Sequence, residues 1–188
     1  MSENWDFLLS QFRSLGGVAE NVCQKEGEFG RGIFAGNPNL RSRIFTPAGL
    51  MIKEEDIYIE CNQLGIKKGK GYSNEIREFF DFYQENFYWG CGGKQITEIF
   101  ENGLSSFPSN LKKLIKEYIL VDLEERHNDD WDNVLKKQFL NARSVIFDKH
   151  LVIAPVWDLV NHDVISLPFI SSQDGLSTPN YPPMDGEI

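Results

Sequence analysis

Between Leu151 and His162 the chain passes from an apolar strand pattern, Leu151 to Ile153, through Pro155 to an acid, Asp158, and an Asn-His pair, Asn161 and His162. Residues three and four apart on a helical turn project near one another, so a short helix here gathers a carboxylate, an amide and an imidazole inside an apolar frame. Polar groups so placed are either satisfied internally or offered to a ligand. His162 as a general base would need a nucleophile and an orienting acid in reach, which spacing alone does not supply. Far upstream, Phe29-Gly30-Arg31-Gly32-Ile33-Phe34-Ala35 sets two glycines where a backbone can come close to a ligand, or simply opens a strand with a glycine turn. It has neither the G-x-G-x-x-G spacing of a dinucleotide fingerprint nor the Gly-Lys-Ser/Thr of a phosphate loop. Arg143, just ahead of a strand pattern, is either a surface charge or an anchor whose guanidinium forks onto a carboxylate. Cys91, flanked by glycines, is either a nucleophile with His162 as its base or an ordinary cysteine in a loop that ends a helix, and the second is favoured. His127, His150 and His162 lack metal-ligand spacing, so no metal is expected.

The elements that must position these residues fall in three stretches. Ser2 caps a helix carrying Trp5, Leu8, Leu9 and Phe12 on one face, and Gly16-Gly17 stops it. Val18 to Cys23, Arg31 to Ala35, Ser42 to Phe45 and Leu50 to Ile52 read as short strands. After the basic, glycine-rich Lys67-Lys68-Gly69-Lys70-Gly71, Ile76, Phe79, Phe80, Tyr83 and Phe87 recur at helical spacing behind a Ser73 cap. Leu111, Leu114, Ile115, Tyr118 and Ile119 follow Pro108 as a second amphipathic helix, and Trp131, Val134, Leu135 and Phe139 form a third. Strand pattern returns at Ser144 to Phe147 and Leu151 to Ile153, around a turn at Asp148-Lys149-His150. The β, then α, then β order predicts an α+β fold. Its parts are a first β segment (1–71), a helical insert (72–142) and a second β segment (143–188).

Composition narrows the class of protein. The 188 residues suffice for one domain with a real core. A formal net charge of −9 argues against a nucleic-acid partner, whose usual footprint is a basic face, and is compatible with a basic protein partner. Cys23, Cys61 and Cys91 are odd in number without framework spacing, which favours a reducing compartment. The first 17 residues lack a basic start and a continuous apolar core, and no run is long enough to span a bilayer. The expectation is a soluble cytoplasmic protein.

In this order the pieces resemble the SET-domain methyltransferases, and most closely the Rubisco lysine methyltransferase branch, in which a helical insert interrupts the β core. The resemblance runs from about Val18 to the last residue. Gly30-Arg31-Gly32-Ile33-Phe34-Ala35 looks like the first S-adenosylmethionine motif. Phe139-Leu140-Asn141-Ala142-Arg143-Ser144 is similar to the segment in which an arginine supports the cofactor, and Pro155 to His162 resembles the proline, acid and Asn-His block. The resemblance implies S-adenosyl-L-methionine as cofactor, held by Gly30, Arg31, Gly32, Arg143, Asn161 and His162. It implies a protein lysine as methyl acceptor, with Asp158 orienting the turn.

The family's catalytic tyrosine follows an acidic strand that resembles Asp185-Gly186-Glu187-Ile188, which places it beyond Ile188. Tyr181 lies upstream of that strand and does not take the role. The chain is therefore expected to be a lysine methyltransferase lacking its last catalytic strand. The alternative is a catalytically silent SET-like module that binds a partner through the aromatic stretch Phe79 to Trp89. The bland reading of those aromatics is core.

Overall fold

The computed structural model describes residues 3–27, 30–60, 63–88, 102–103, 106–111, 113–114, 140, 143–160 and 168–179. Helix α1 (Glu3–Ser14) buries Trp5, Leu8, Leu9 and Phe12, the face anticipated from their spacing. The apolar run that follows does not form one strand. Asn21 adopts a positive φ of 51° and divides it into β1 (Val18–Glu20) and β2 (Val22–Gly27). An asparagine tolerates that conformation because its short side chain bonds locally. Here the Asn21 amide donates to the Asn37 and Leu40 carbonyls, both at 2.9 Å, and fastens the loop that leads out of β3 (Gly30–Ala35).

Strand β4 (Arg43–Pro47) starts one residue later than its pattern, and the stretch expected as a strand at 50–52 is a 3-10 turn (Ala48–Leu50) followed by the two-residue β5 (Ile52–Lys53). A second 3-10 turn (Glu54–Asp56) leads to β6 (Ile57–Glu60) and β7 (Gln63–Ile66), a hairpin that sequence periodicity did not reveal. Helix α2 (Asn74–Phe87) then opens on Ser73, whose hydroxyl accepts the Ile76 N–H. Of the second expected helix only a few positions after Pro108 are described, with Leu111 and Leu114 about half exposed, and the third lies outside the described residues. Strands β8 (Val145–Phe147) and β9 (His150–Ile153) form the anticipated hairpin, and a 3-10 turn (Trp157–Leu159) follows. Near the C-terminal end, β10 (Ile170–Ser172) and β11 (Gly175–Ser177) make a hairpin in the stretch read as polar and irregular.

Among the described residues every strand pair is antiparallel, and with helices α1 and α2 beside the sheets this is an α+β fold. The pairing crosses the chain. A four-stranded sheet has the order β1-β4-β11-β10, and a three-stranded one the order β5-β9-β8. In each, strands from before residue 72 lie beside strands from after residue 143. Helix α2 packs on α1 and β7, and its Phe79, Phe80 and Tyr83 share one core with Phe12, Ile33, Ile44, Ile52 and Val152. The first helix of the expected insert therefore completes the core. Burying such side chains stabilises the fold by about 1.5–3 kcal/mol each. No helix among the described residues is long and apolar enough to cross a membrane.

Candidate functional site

Strand β9 delivers the chain into a buried corner at Ala154-Pro155-Val156-Trp157-Asp158, where no residue is more than 9% exposed. Val156 takes φ 69° and ψ −46°, a conformation that crowds a β-branched side chain. Such backbone costs about 1–3 kcal/mol and persists only where its surroundings over-determine it. They do so here. The Asp158 N–H donates to the Ala154 carbonyl at 3.0 Å, and the Thr46 hydroxyl of β4 donates to the Pro155 carbonyl at 3.0 Å. The Tyr83 hydroxyl of α2 donates to the Asp158 carboxylate, and Arg143 Nη1 donates to the Asp158 carbonyl at 3.3 Å.

The turn is thereby tied to three separate parts of the chain. Beside it, the Arg143 guanidinium lies 5.9 Å from the centre of the Tyr88 ring, within reach of a cation–π contact. Tyr88 in turn packs on Tyr83 with ring centroids 5.4 Å apart. Asp158 Oδ2 is buried and has no hydrogen-bond partner among the described residues. Burial pushes the Asp158 carboxyl up to about 7, against the opposing pull of the Tyr83 hydrogen bond and the Arg143 charge. Burial, reinforced by the Asp158 charge, holds the Tyr83 phenol well above its ordinary range, and Tyr88 is raised by the same two causes.

The residues singled out from the sequence fall in different parts of the fold. Arg143 and Asp158 are brought together, with Arg143 open to solvent on its other side. Gly30, Arg31 and Gly32 lie on β3, paired across the hairpin with Gly27, Glu26 and Lys25 of β2. Gly32 is buried within that hairpin. Asn161 and His162 lie outside the described residues, as do Cys91 and the whole segment 180–188. Cys23 is buried and its thiol faces the Ala35 carbonyl at 3.7 Å. Among the described residues no group of three or more His, Cys, Asp or Glu side chains could hold a metal ion. Tyr83 and Tyr88 were not singled out from the sequence. A tyrosine at an apolar helical position reads as core, and only Tyr83's contact with a residue 75 positions away reveals its polar duty.

A second polar cluster stands apart from this turn. Tyr72 donates to Asp56 at 3.1 Å, Lys70 pairs with Asp56 at 2.7 Å, and Lys53 Nζ lies 3.2 Å from His150 Nε2. It borders a cavity of about 320 Å³ walled by Met51, Ile76, Phe147 and Val152. None of Gly30, Arg31, Gly32 or Arg143 lines it.

Comparison of the chain with models of known protein families, with curated proteins and with solved structures returns no match.

Proposed function

We propose that this chain is a SET-like, S-adenosylmethionine-dependent protein-lysine N-methyltransferase, with Gly30, Arg31, Gly32, Arg143, Asn161 and His162 as its cofactor residues. The observation that carries the reading is the convergence of Arg143 on the strained Pro155–Asp158 turn, two segments that resemble successive motifs of that family. Support also comes from the crossed pairing of β4 with β11 and β5 with β9, the arrangement expected of a β core interrupted by an insert.

The residues present suit the ligand. The methionine end of the cofactor has a carboxylate and an ammonium. Arg143, an exposed residue that donates to the Asp158 carbonyl, has a guanidinium whose fork suits the first. Gly32 keeps β3 free of a side chain where backbone must come close. When bound, S-adenosylmethionine supplies a methyl activated by a sulfonium for in-line transfer to a neutral amine. The protein's share in such a reaction is alignment, and a fixed turn with an anchored guanidinium gives alignment without reorganisation. A formal charge of −9 attracts a lysine-bearing partner.

Calorimetric titration with S-adenosylmethionine and its demethylated product tests the reading. Saturable binding is expected, weakened about tenfold or more by Arg143→Ala and abolished by Gly32→Val. A folded wild-type chain that binds neither would overturn it. Binding without methyl transfer to a lysine peptide would identify a silent module.

A further inference from the structure

The cavity beside the second polar cluster is built on one face of a sheet. Side chains alternate across a strand, and cross-strand partners share a side. Lys53 and Val152, partners in the β5–β9 pair, therefore lie with His150 and Phe147, partners in the β8–β9 pair, on the face that lines the cavity. Ile76 from the first turn of α2, Tyr72 ahead of it and Met51 ahead of β5 complete the walls. We propose that this cavity binds a small organic monocarboxylate, with Lys53 taking the carboxylate and Met51, Ile76, Phe147 and Val152 taking an apolar body. The site is independent of the cofactor residues named above.

The state of Lys53 carries the inference. An ammonium has three donors and no acceptor, so His150 Nε2 accepts one N–H at 3.2 Å and two donors remain. The other ring nitrogen of His150 then carries the proton and lies 3.9 Å from Glu55 Oε1. Among the described residues no carboxylate stands within ion-pair distance of the Lys53 ammonium. Asp56, the carboxylate that feels its charge, is already bonded to Lys70 and Tyr72. The main chain beneath is fixed as well, because the Lys53 N–H donates to the Tyr72 hydroxyl at 3.1 Å and that hydroxyl donates to Asp56. Lys53 is thus held at a cavity wall by a neutral imidazole, with its charge unmatched there. A cation so placed needs little further ordering to receive an anion.

The surroundings narrow the anion. A cavity of about 320 Å³ is at the small end of ligand pockets, so the ligand is small. One lysine balances one negative charge. Asp148 also lines the cavity, and Glu55 and Asp56 stand close to the Lys53–His150 pair, so a phosphate dianion would meet more repulsion than a single ammonium offsets. A cation would be repelled by Lys53 itself. The apolar walls reward a hydrocarbon body and give acetate almost nothing to bury.

The test titrates hexanoate into the intact chain with methyl-labelled methionine. Met51 is buried and lines the cavity, so its methyl resonance, identified through Met51→Leu, should shift saturably. Hexanol, with the same body and no charge, should bind at least about tenfold more weakly, and acetate should leave the resonance unmoved. Lys53→Met keeps the stem without the charge. It should abolish the preference for hexanoate over hexanol and leave hexanol binding as it was. A merely structural role for Lys53 would weaken both ligands alike and overturn the assignment. Hexanoate that binds without moving Met51, binds no better than hexanol or does not bind at all would also overturn it. Those three outcomes are read on wild type, so the test stands even where Lys53→Met does not fold.

Discussion

Asp158 brings a carboxyl group where water does not reach, and its chemistry follows from that placement. In the folded chain it holds its proton up to about pH 7, against 3.8 as its ordinary value. Between those limits the folded state binds the extra proton. The contribution to stability is full below about pH 4 and is lost progressively as pH rises to about 7, beyond which it stays flat. The slope is at most about 1.4 kcal/mol per pH unit. Asp56 has the opposite sign. Its hydrogen bond from Lys70 leads the causes that lower its carboxyl, so its contribution is present above its ordinary value and lost as pH falls. Because other carboxylates titrate too, the informative quantity is a difference between wild type and Asp158→Asn, which keeps an oxygen for the Tyr83 hydroxyl. Urea unfolding at intervals from about pH 4.5 to 8 should show the asparagine variant gaining on wild type steadily up to about pH 7 and no further. A difference independent of pH would show that Asp158 does not titrate in the folded chain.

At the scale of elements, the β8–β9 hairpin turns through Asp148 and Lys149, with φ of 45° and 66°. Two consecutive positive values define a type I′ turn, which suits the twist of the strands but disfavours a lysine at its second position. Lys149→Gly should therefore raise stability by about 0.5–1 kcal/mol, read as a higher urea midpoint at unchanged slope, while Lys149→Ala gains nothing. This hairpin was legible in the sequence because its apolar strands flank a polar turn, and α1 and α2 were legible because their buried faces recur at helical spacing. The β6–β7 hairpin was hidden by Gly65, which weakens a strand pattern. In the fold the Tyr58 ring lies over Gly65, so close that a Cβ there would stand 2.3 Å from it. The β10–β11 hairpin was hidden because every residue of β10 is exposed, leaving no alternation to read. The site follows the same division. Asp158 stood out as a polar residue in an apolar frame and Arg143 was open between surface charge and anchor, whereas Tyr83 took its meaning from a partner far along the chain.

For the molecule as a whole, the decisive contacts are those that close the chain on itself. Ile44 and Thr178, 134 positions apart, exchange hydrogen bonds through the Ile44 N–H and carbonyl, and the Ala48 N–H donates to the Asp174 carbonyl at 2.8 Å. Thr46 faces Leu176 in the β4–β11 pair and also holds the Pro155 carbonyl, so the sheet and the strained turn share one residue. Contacts of such separation add their stability only once most of the chain is in place, which makes the fold one cooperative unit. Gly175 is where this closure is most exacting. It sits at φ 155°, and a Cβ on it would stand 2.2 Å from the Thr46 carbonyl oxygen and 2.9 Å from both Phe45 and Pro47. Two of those neighbours are backbone of the central strand and cannot yield without parting β4 from β11. Gly175→Ala is accordingly expected to cost at least about 3 kcal/mol, large for an exchange that adds one methyl group. If the two ends of the chain form one unit, tryptophan fluorescence, to which Trp5 on the buried face of α1 contributes beside the chain's three other tryptophans, and far-ultraviolet circular dichroism should shift together to lower urea in this variant. Separate transitions, with fluorescence unmoved, would mean that the C-terminal hairpin docks on an already stable body. In that case the strain at Val156 would be held by α2 and Arg143 without help from β11.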